Sequence, residues 1–407
     1  MATLSMSMSI HEEPMDFSNH KLIRIHPRST EHVKQLNRLE KEFQMDYWRP
    51  ALNDLRPVLT IVDPYKEQYF LRALNNSKIF HEIVSNNFQR IVDKERAEME
   101  MASRQLNAKG ENYDYENSYH NYEEILDQMK YLANNHPEKA KYQPVGKTYE
   151  GREIPALVIG SGEKVIILEN GIHSREWITI AFGQWVANKL ITDVSLEPLL
   201  ENYRFIVVPV LNVDGFIYTH TTNRLWRKTR SPSPGTNCFG ADPNRNWDSH
   251  FCEQGASNNP CSETYCGSSA FSEIESKNMA NLINQYKGSI AAYFAVHSYS
   301  QLWMYPFGYS YSLPPNAQQL KTLSQAAVSA IKKSHGLSFT EGSIANTIYL
   351  ASGSSIDWAY DSADVKVAFA VELRDKGLYG FQLPANQIKP AVEETWAGVK
   401  AVIDQLS

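Results

Sequence analysis

Along the first hundred residues the apolar positions fall into short registers of period two and of period near 3.6. His20 to His26 alternates as a strand does, and Ser29-Thr30-Glu31-His32 then supplies an N-cap before a helical series at Val33, Leu36, Leu39 and Phe43. A second strand is expected near Asp46 to Arg49 and a third over Val58 to Asp63, with Pro57 and Pro64 bounding the latter. Lys66 to Leu74 reads as a helix and Phe80 to Val84 as a fourth strand. This βαββαβ order suits a small ferredoxin-like sandwich. From Phe88 to about Arg104 the chain is charged, rich in helix formers and free of Gly and Pro, which predicts an exposed connecting helix. Asn107 to Asn117, with Gly110 and repeated Asn and Tyr, breaks that pattern and marks a boundary open to nicking.

Farther on, Lys164 to Glu169, Arg204 to Leu211, Ile290 to Val296 and Val365 to Val371 are short, β-branched and nearly continuous apolar runs, as buried strands should be. Helical patterns intervene at Trp177 to Leu190, Ser272 to Tyr286, Gln318 to His335 and Gln387 to Gln405. That alternation predicts an α/β unit with a mixed, mostly parallel central sheet flanked by helices. The expected division is therefore a tail over 1–19, a small α+β unit over 20–87, a connecting segment over 88–110 and a large α/β unit over 111–407.

Composition narrows the partners. The 407 residues carry 46 acids against 40 Lys and Arg, a formal charge of -6, and the basic residues are scattered. Nucleic acid is not an expected partner. No stretch approaches the ~18 consecutive apolar residues of a membrane span. Met1 to Asn19 has no apolar core of the kind a secretory leader carries. The cysteines point the other way: Cys238, Cys252, Cys261 and Cys266 lie in one short segment rich in Asn, Ser, Pro and Gly. Two disulfides stapling a long loop fit this better than a four-cysteine zinc site, which would want a CxxC pair. The expectation is an oxidising compartment, reached with a leader that this sequence does not contain.

Chemistry concentrates at five places. His173 and Glu176 stand three residues apart where a strand gives way to a helix, so both project from one face of a first turn. An isolated HxxE is weak evidence, because a Glu at a helix start also favours the dipole. His297, ending the strand AAYFAV, supplies a third ligand candidate; three ligands would leave the fourth zinc position open, as in a catalytic site. Glu372 ends the apolar run VAFAV, where a carboxylate has no packing reason to be, and either pairs with Arg374 or Lys376 or serves as a general base. Asn223 to Lys228 and Asp242 to Trp247 add arginines suited to gripping a carboxylate or a developing oxyanion, with solvated surface charge the alternative for any single one.

Together these residues resemble the zinc metallocarboxypeptidases of the pancreatic A and B type, over nearly the whole chain. The matching motifs are His173-Ser174-Arg175-Glu176, Asn223 to Arg230, Asp242 to Asp248, Cys261 to Tyr265, His297-Ser298-Tyr299-Ser300, Ile348-Tyr349, Gly353 to Trp358 and Glu372-Leu373-Arg374-Asp375. The resemblance implies the zinc carboxypeptidase fold preceded by an inhibitory propeptide, and one zinc ion on His173, Glu176 and His297. It implies Glu372 as the base, Arg227 at the oxyanion, and Asn244, Arg245 and Tyr349 on the substrate's terminal carboxylate. Arg175 and Tyr299 would line the cleft, and Asp242 would hydrogen-bond His173. It pairs Cys238 with Cys261 and Cys252 with Cys266. At the floor of the specificity pocket, where the family places an acid or an apolar residue, stands Ile356, which implies an A-like preference for aromatic or bulky aliphatic C-terminal residues. Ala370 stands where an A-type pocket has a hydroxyl residue. The expected substrates are peptide and protein C-termini, and the expected state is a secreted monomeric zymogen activated by a trypsin-like protease, with Arg104 favoured over Lys109 as the cleavage point. Asn75-Asn76-Ser77 matches a glycosylation sequon.

Overall fold

A computed structural model describes residues 13–109 and 113–406. The N-terminal unit contains β1 (Lys21–His26), α1 (Thr30–Phe43), β2 (Val58–Val62), α2 (Pro64–Asn76) and β3 (Phe80–Ser85). Ser29 caps α1 by accepting the His32 N–H, and Asp63 caps α2 by accepting that of Tyr65, so both starts follow local chemistry. The sheet order is β2-β1-β3, antiparallel throughout. The strand expected near Asp46 to Arg49 is reduced to one bridge, Tyr47 opposite Thr60. Trp48, Arg49 and Pro50 instead leave the sheet and line a cavity of the larger unit. Alternation along β1 divides its two faces: Ile23 and Ile25 join Leu36, Phe70 and Leu74 in a core of the unit's own. Leu22 packs with Trp48, Leu225, Tyr299 and Phe381, while Arg24 donates to the carbonyls of Gly377 and Leu378. The small unit therefore docks through one sheet face. The connecting helix α3 (Gln89–Lys109) runs past the expected end at Arg104.

The larger unit begins with α4 (Tyr122–Asn135), opened by a capping box between Asn121 and Glu124. Its sheet comprises β4 (Ala140–Tyr142), β5 (Leu157–Ile159), β6 (Lys164–Asn170), β7 (Tyr203–Val208), β8 (Ile290–His297), β9 (Leu302–Tyr305), β10 (Thr340–Ser343) and β11 (Ala368–Glu372). The spatial order is β10-β9-β11-β8-β6-β7-β5-β4. The four central strands β11, β8, β6 and β7 are parallel; outside them β9 with β11, β5 with β7 and β4 with β5 are antiparallel, and β9 with β10 is parallel. Helices α5 (Trp177–Thr192), α6 (Val213–Thr221), α7 (Ile274–Gln285), α8 (Ala317–His335), α9 (Ser355–Asp361) and α10 (Ile388–Ile403) complete the layers. The central strands read as continuous apolar runs because helices cover both faces. No helix among the described residues is long and apolar enough to cross a membrane.

Two disulfides, Cys238–Cys261 and Cys252–Cys266, staple the long segment between α6 and α7. With little regular structure of its own, that segment gains order from these closures, which restrict the unfolded chain.

Candidate active site

The sheet order reverses at β6: β7 lies on one side of it and β8 on the other. Chains leaving these strands diverge, which opens a crevice at their carboxyl ends. Gly171, at φ +63°, follows β6; a Cβ there would meet Ile180 Cγ1 at 2.8 Å, so glycine lets the turn close tightly against α5. That turn delivers His173, and Glu176 stands immediately before α5. His297 closes β8 and is the register partner of Glu372, which closes β11. Strand ends thus bring four of the expected groups to one edge.

His173, Glu176 and His297 are all buried, and their ligand atoms lie within 4.8 Å of one another. His173 Nδ1 is 2.9 Å from Glu176 Oε1 and 3.3 Å from His297 Nδ1, and His297 Nδ1 is 3.5 Å from Glu176 Oε2. Two imidazole nitrogens and a carboxylate oxygen converging on one point form a donor set that fits zinc. The far side of His173 is fixed by Asp242, whose Oδ1 lies 3.0 Å from Nε2. Such a partner holds the ring with Nδ1 turned to the shared point. Burial, with the nearby Arg227, holds the His173 imidazole below its ordinary value and so favours the neutral form that ligates metal. Burial alone would push the Asp242 carboxyl up, but Arg227, His173 and Arg245 outweigh it and hold it well below the usual carboxylate range. Burial pushes Glu372 up to about 8, Glu176 adding to the effect while His297 and Arg227 oppose it. Its Oε2 is sealed from solvent and has no hydrogen-bond partner, so neither Arg374 nor Lys376 claims that atom. Arg374 is engaged instead by Glu394, through bonds of 2.8 and 2.6 Å.

One cavity collects His173, Glu176, His297, Glu372, Arg227, Asn244, Arg245, Tyr299, Tyr349 and Ile356. Arg227 spends Nε and Nη2 on Asp242 at 3.1 and 2.8 Å, and its Nη1 lies 3.9 Å from Glu176. Arg245 is anchored to the carbonyls of Gly255 and Asn244, each at 2.8 Å. Gly353, at φ +70°, lets the segment before α9 pass over Arg245; a Cβ there would meet its carbonyl oxygen at 2.3 Å. Arg175 is the exception: it lies outside the cavity lining, with its guanidinium 2.5 Å from Asp46 of the N-terminal unit. Tyr299 is buried under Trp48 and Phe381, in contact with that same unit. Arg104 lies in α3, exposed and paired with Glu100 at 3.4 Å; the side chain of Lys109 lies outside the described residues. The sequence reading missed Arg49, whose Nε and Nη1 are buried without partners beside Glu372. An Arg directly before Pro50 in a loop gave no local signal, since only docking of the two units brings it here.

Comparison with known proteins bears on the family and the fold. The family pattern described as zinc carboxypeptidase matches residues 125–398, and that of the carboxypeptidase activation peptide matches residues 23–95. Carboxypeptidase B of Bos taurus is 39% identical over 97% of this chain and 95% of its own length. Carboxypeptidase A1 of Mus musculus is 40% identical over 96% and 94%. The crystal structure of carboxypeptidase A from Helicoverpa armigera superposes with a TM-score of 0.88 at 28% identity, covering 96% of this chain and 98% of that one. The chain belongs to the zinc carboxypeptidase family, as a metallocarboxypeptidase that carries its activation peptide.

Proposed function

We propose that this metallocarboxypeptidase removes one aromatic or bulky aliphatic residue from peptide C-termini, and that residues 20–87 keep the intact chain nearly inactive until the segment over 88–110 is cut, at Arg104. The observation that carries the reading is the shared cavity. A three-donor metal site, a carboxylate with a sealed unpartnered oxygen and carboxylate-binding groups all face it, and its floor at Ile356 is apolar.

Zinc held by His173, Glu176 and His297 would supply Lewis acidity to the scissile carbonyl and make the attacking water more acidic. Glu372 takes a proton from that water as its oxygen adds to the carbonyl carbon. It returns the proton to the amine nitrogen as the C–N bond breaks. Arg227, held in line by Asp242, directs Nη1 to the oxygen that gains charge. Asn244, Arg245 and Tyr349 bind the free terminal carboxylate, which limits cleavage to the last peptide bond. Ile356 presents no partner for a cation, so a C-terminal Lys or Arg would be buried unpaired. The disulfides support folding in an oxidising compartment, and with it an extracellular role in protein turnover.

The test is mass spectrometry of peptides differing only in their last residue, incubated with trypsin-treated protein with and without a zinc chelator. Chelator-sensitive loss of Phe, Tyr or Leu, with Lys and Arg spared, is the expected result. Trimming of Lys and Arg in preference would overturn the pocket assignment. Ile356→Asp should transfer activity toward C-terminal Lys and Arg, and unchanged selectivity would remove Ile356 from its role.

A further inference from the structure

A terminal carboxylate can be bound only by the NH2 end of the Asn244 amide, so the clamp depends on which way that amide is turned. Its Oδ1 accepts the backbone N–H of Ser355 at 3.0 Å. Nδ2 is thereby the end turned to the cavity, in a long hydrogen bond of 3.5 Å with Nε2 of His297. Ser355 is the first residue of α9 and Ile356 the second. One turn of a seven-residue helix therefore carries both the amide lock and the pocket floor. Behind that turn stands Glu169, fully buried on β6 directly after the apolar run Val165 to Leu168. Its Oε2 accepts the Tyr293 hydroxyl at 2.5 Å. Its Oε1 and the hydroxyl oxygen of Ser355 are both sealed from solvent and make no hydrogen bond, and the Ser355 hydroxyl lies beside the Glu169–Tyr293 pair, where it favours the ionised form of each. A leucine at 169 would complete the apolar strand without the desolvation that a carboxyl incurs. What lies beside the carboxyl is the start of α9.

We propose that Glu169 is a positioning residue: through Ser355 it fixes the first turn of α9, and with it the orientation of Asn244 and the placement of Ile356. The proposal rests on the roles given to Asn244 and Ile356 above. It assigns Glu169 to substrate binding and leaves the proton transfers to Glu372.

The experiment uses the full chain after trypsin treatment, with 3-phenylpropanoate as a probe that joins a carboxylate to an aromatic ring. Glu169→Leu should weaken probe binding and raise the KM for a C-terminal Phe peptide about tenfold, with kcat within threefold and zinc content unchanged. Glu169→Gln, which can still accept from Tyr293 and donate to Ser355, should restore both values to within threefold of the parent protein. Ser355→Ala deletes only the hydroxyl and should shift KM in the same direction, so the proposal stays open to test if Glu169→Leu does not fold. Unchanged probe affinity in the variants, or parallel loss of zinc, kcat and affinity without rescue by Gln, would overturn it. A parent protein that neither binds the probe nor trims the peptide would instead overturn the reading beneath it.

Discussion

At the scale of single residues, the site is a set of buried polar groups whose expense is met by mutual pairing. Asp242 shows this most directly, since it serves His173 and Arg227 at once. Asp242→Asn keeps the shape but loses the charge, so zinc affinity should fall about 10- to 100-fold in a chelator-competition titration. Unchanged affinity would show that Asp242 does not orient the ligand. Much of this chemistry was legible one residue at a time: a carboxylate ending an apolar strand, as at Glu372, or a His ending another, as at His297, is costly unless used. The surroundings of Glu169 and Arg49 were not legible, because each is set by neighbours more than a hundred residues away.

At the scale of elements, the four strands and four helices expected in the large unit form where the apolar runs place them, with ends shifted by a few residues, whereas β4, β5, β9, β10, α4, α6 and α9 were not expected. β8 ends on His297 and β11 on Glu372, as the switch from apolar to polar positions implies. The expected strand near Asp46 to Arg49 failed for a physical reason: its residues make better contacts across the interface, Asp46 with Arg175 and Trp48 with Phe381, than in the sheet. Helix α7 carries a second testable feature in its first turn. Glu275 there is fully buried; its Oε1 accepts the Tyr149 N–H at 3.1 Å while Oε2 has no partner. Burial, with Asp214 and Glu273 adding, pushes its carboxyl up to about 7 from an ordinary 4.5. The folded state therefore holds this proton more tightly than the unfolded one. Its stabilising effect is complete below about pH 4.5 and is lost as pH rises through about 7. Glu275→Gln should be more stable than the parent at pH 8 than at pH 4.5, by up to about 3 kcal/mol of difference in denaturant unfolding. Equal effects at both pH values would contradict the assignment.

At the scale of the whole molecule, the N-terminal unit and the connecting helix α3 stand over the cleft and bind its rim by charge, by apolar packing and by backbone contacts. Arg175 is held by Asp46, Arg224 by Glu95 at 2.6 Å, and the Ser300 carbonyl accepts from Arg56 at 3.0 Å. Arg175 is buried but Asp46 is partly exposed, so solvent offsets much of the ~3–5 kcal/mol that breaking a fully buried pair would cost. Asp46→Ala should therefore raise peptidase activity of the intact chain severalfold and leave the trypsin-treated enzyme unchanged; equal activity of intact variant and parent would argue against this contact as a restraint. The sequence by itself determined the α/β class, the central strands and the longer helices, the disulfide-bearing loop and the kinds of group available for catalysis, because periodicity and residue chemistry are local. Only the tertiary structure decided that His173 and His297, 124 residues apart, come within 3.3 Å, that Arg175 pairs with Asp46, and that Ser355 turns the Asn244 amide toward the cavity. Those distances depend on strand order and on the docking of two units, which arise from packing the whole chain and leave no period in any one segment.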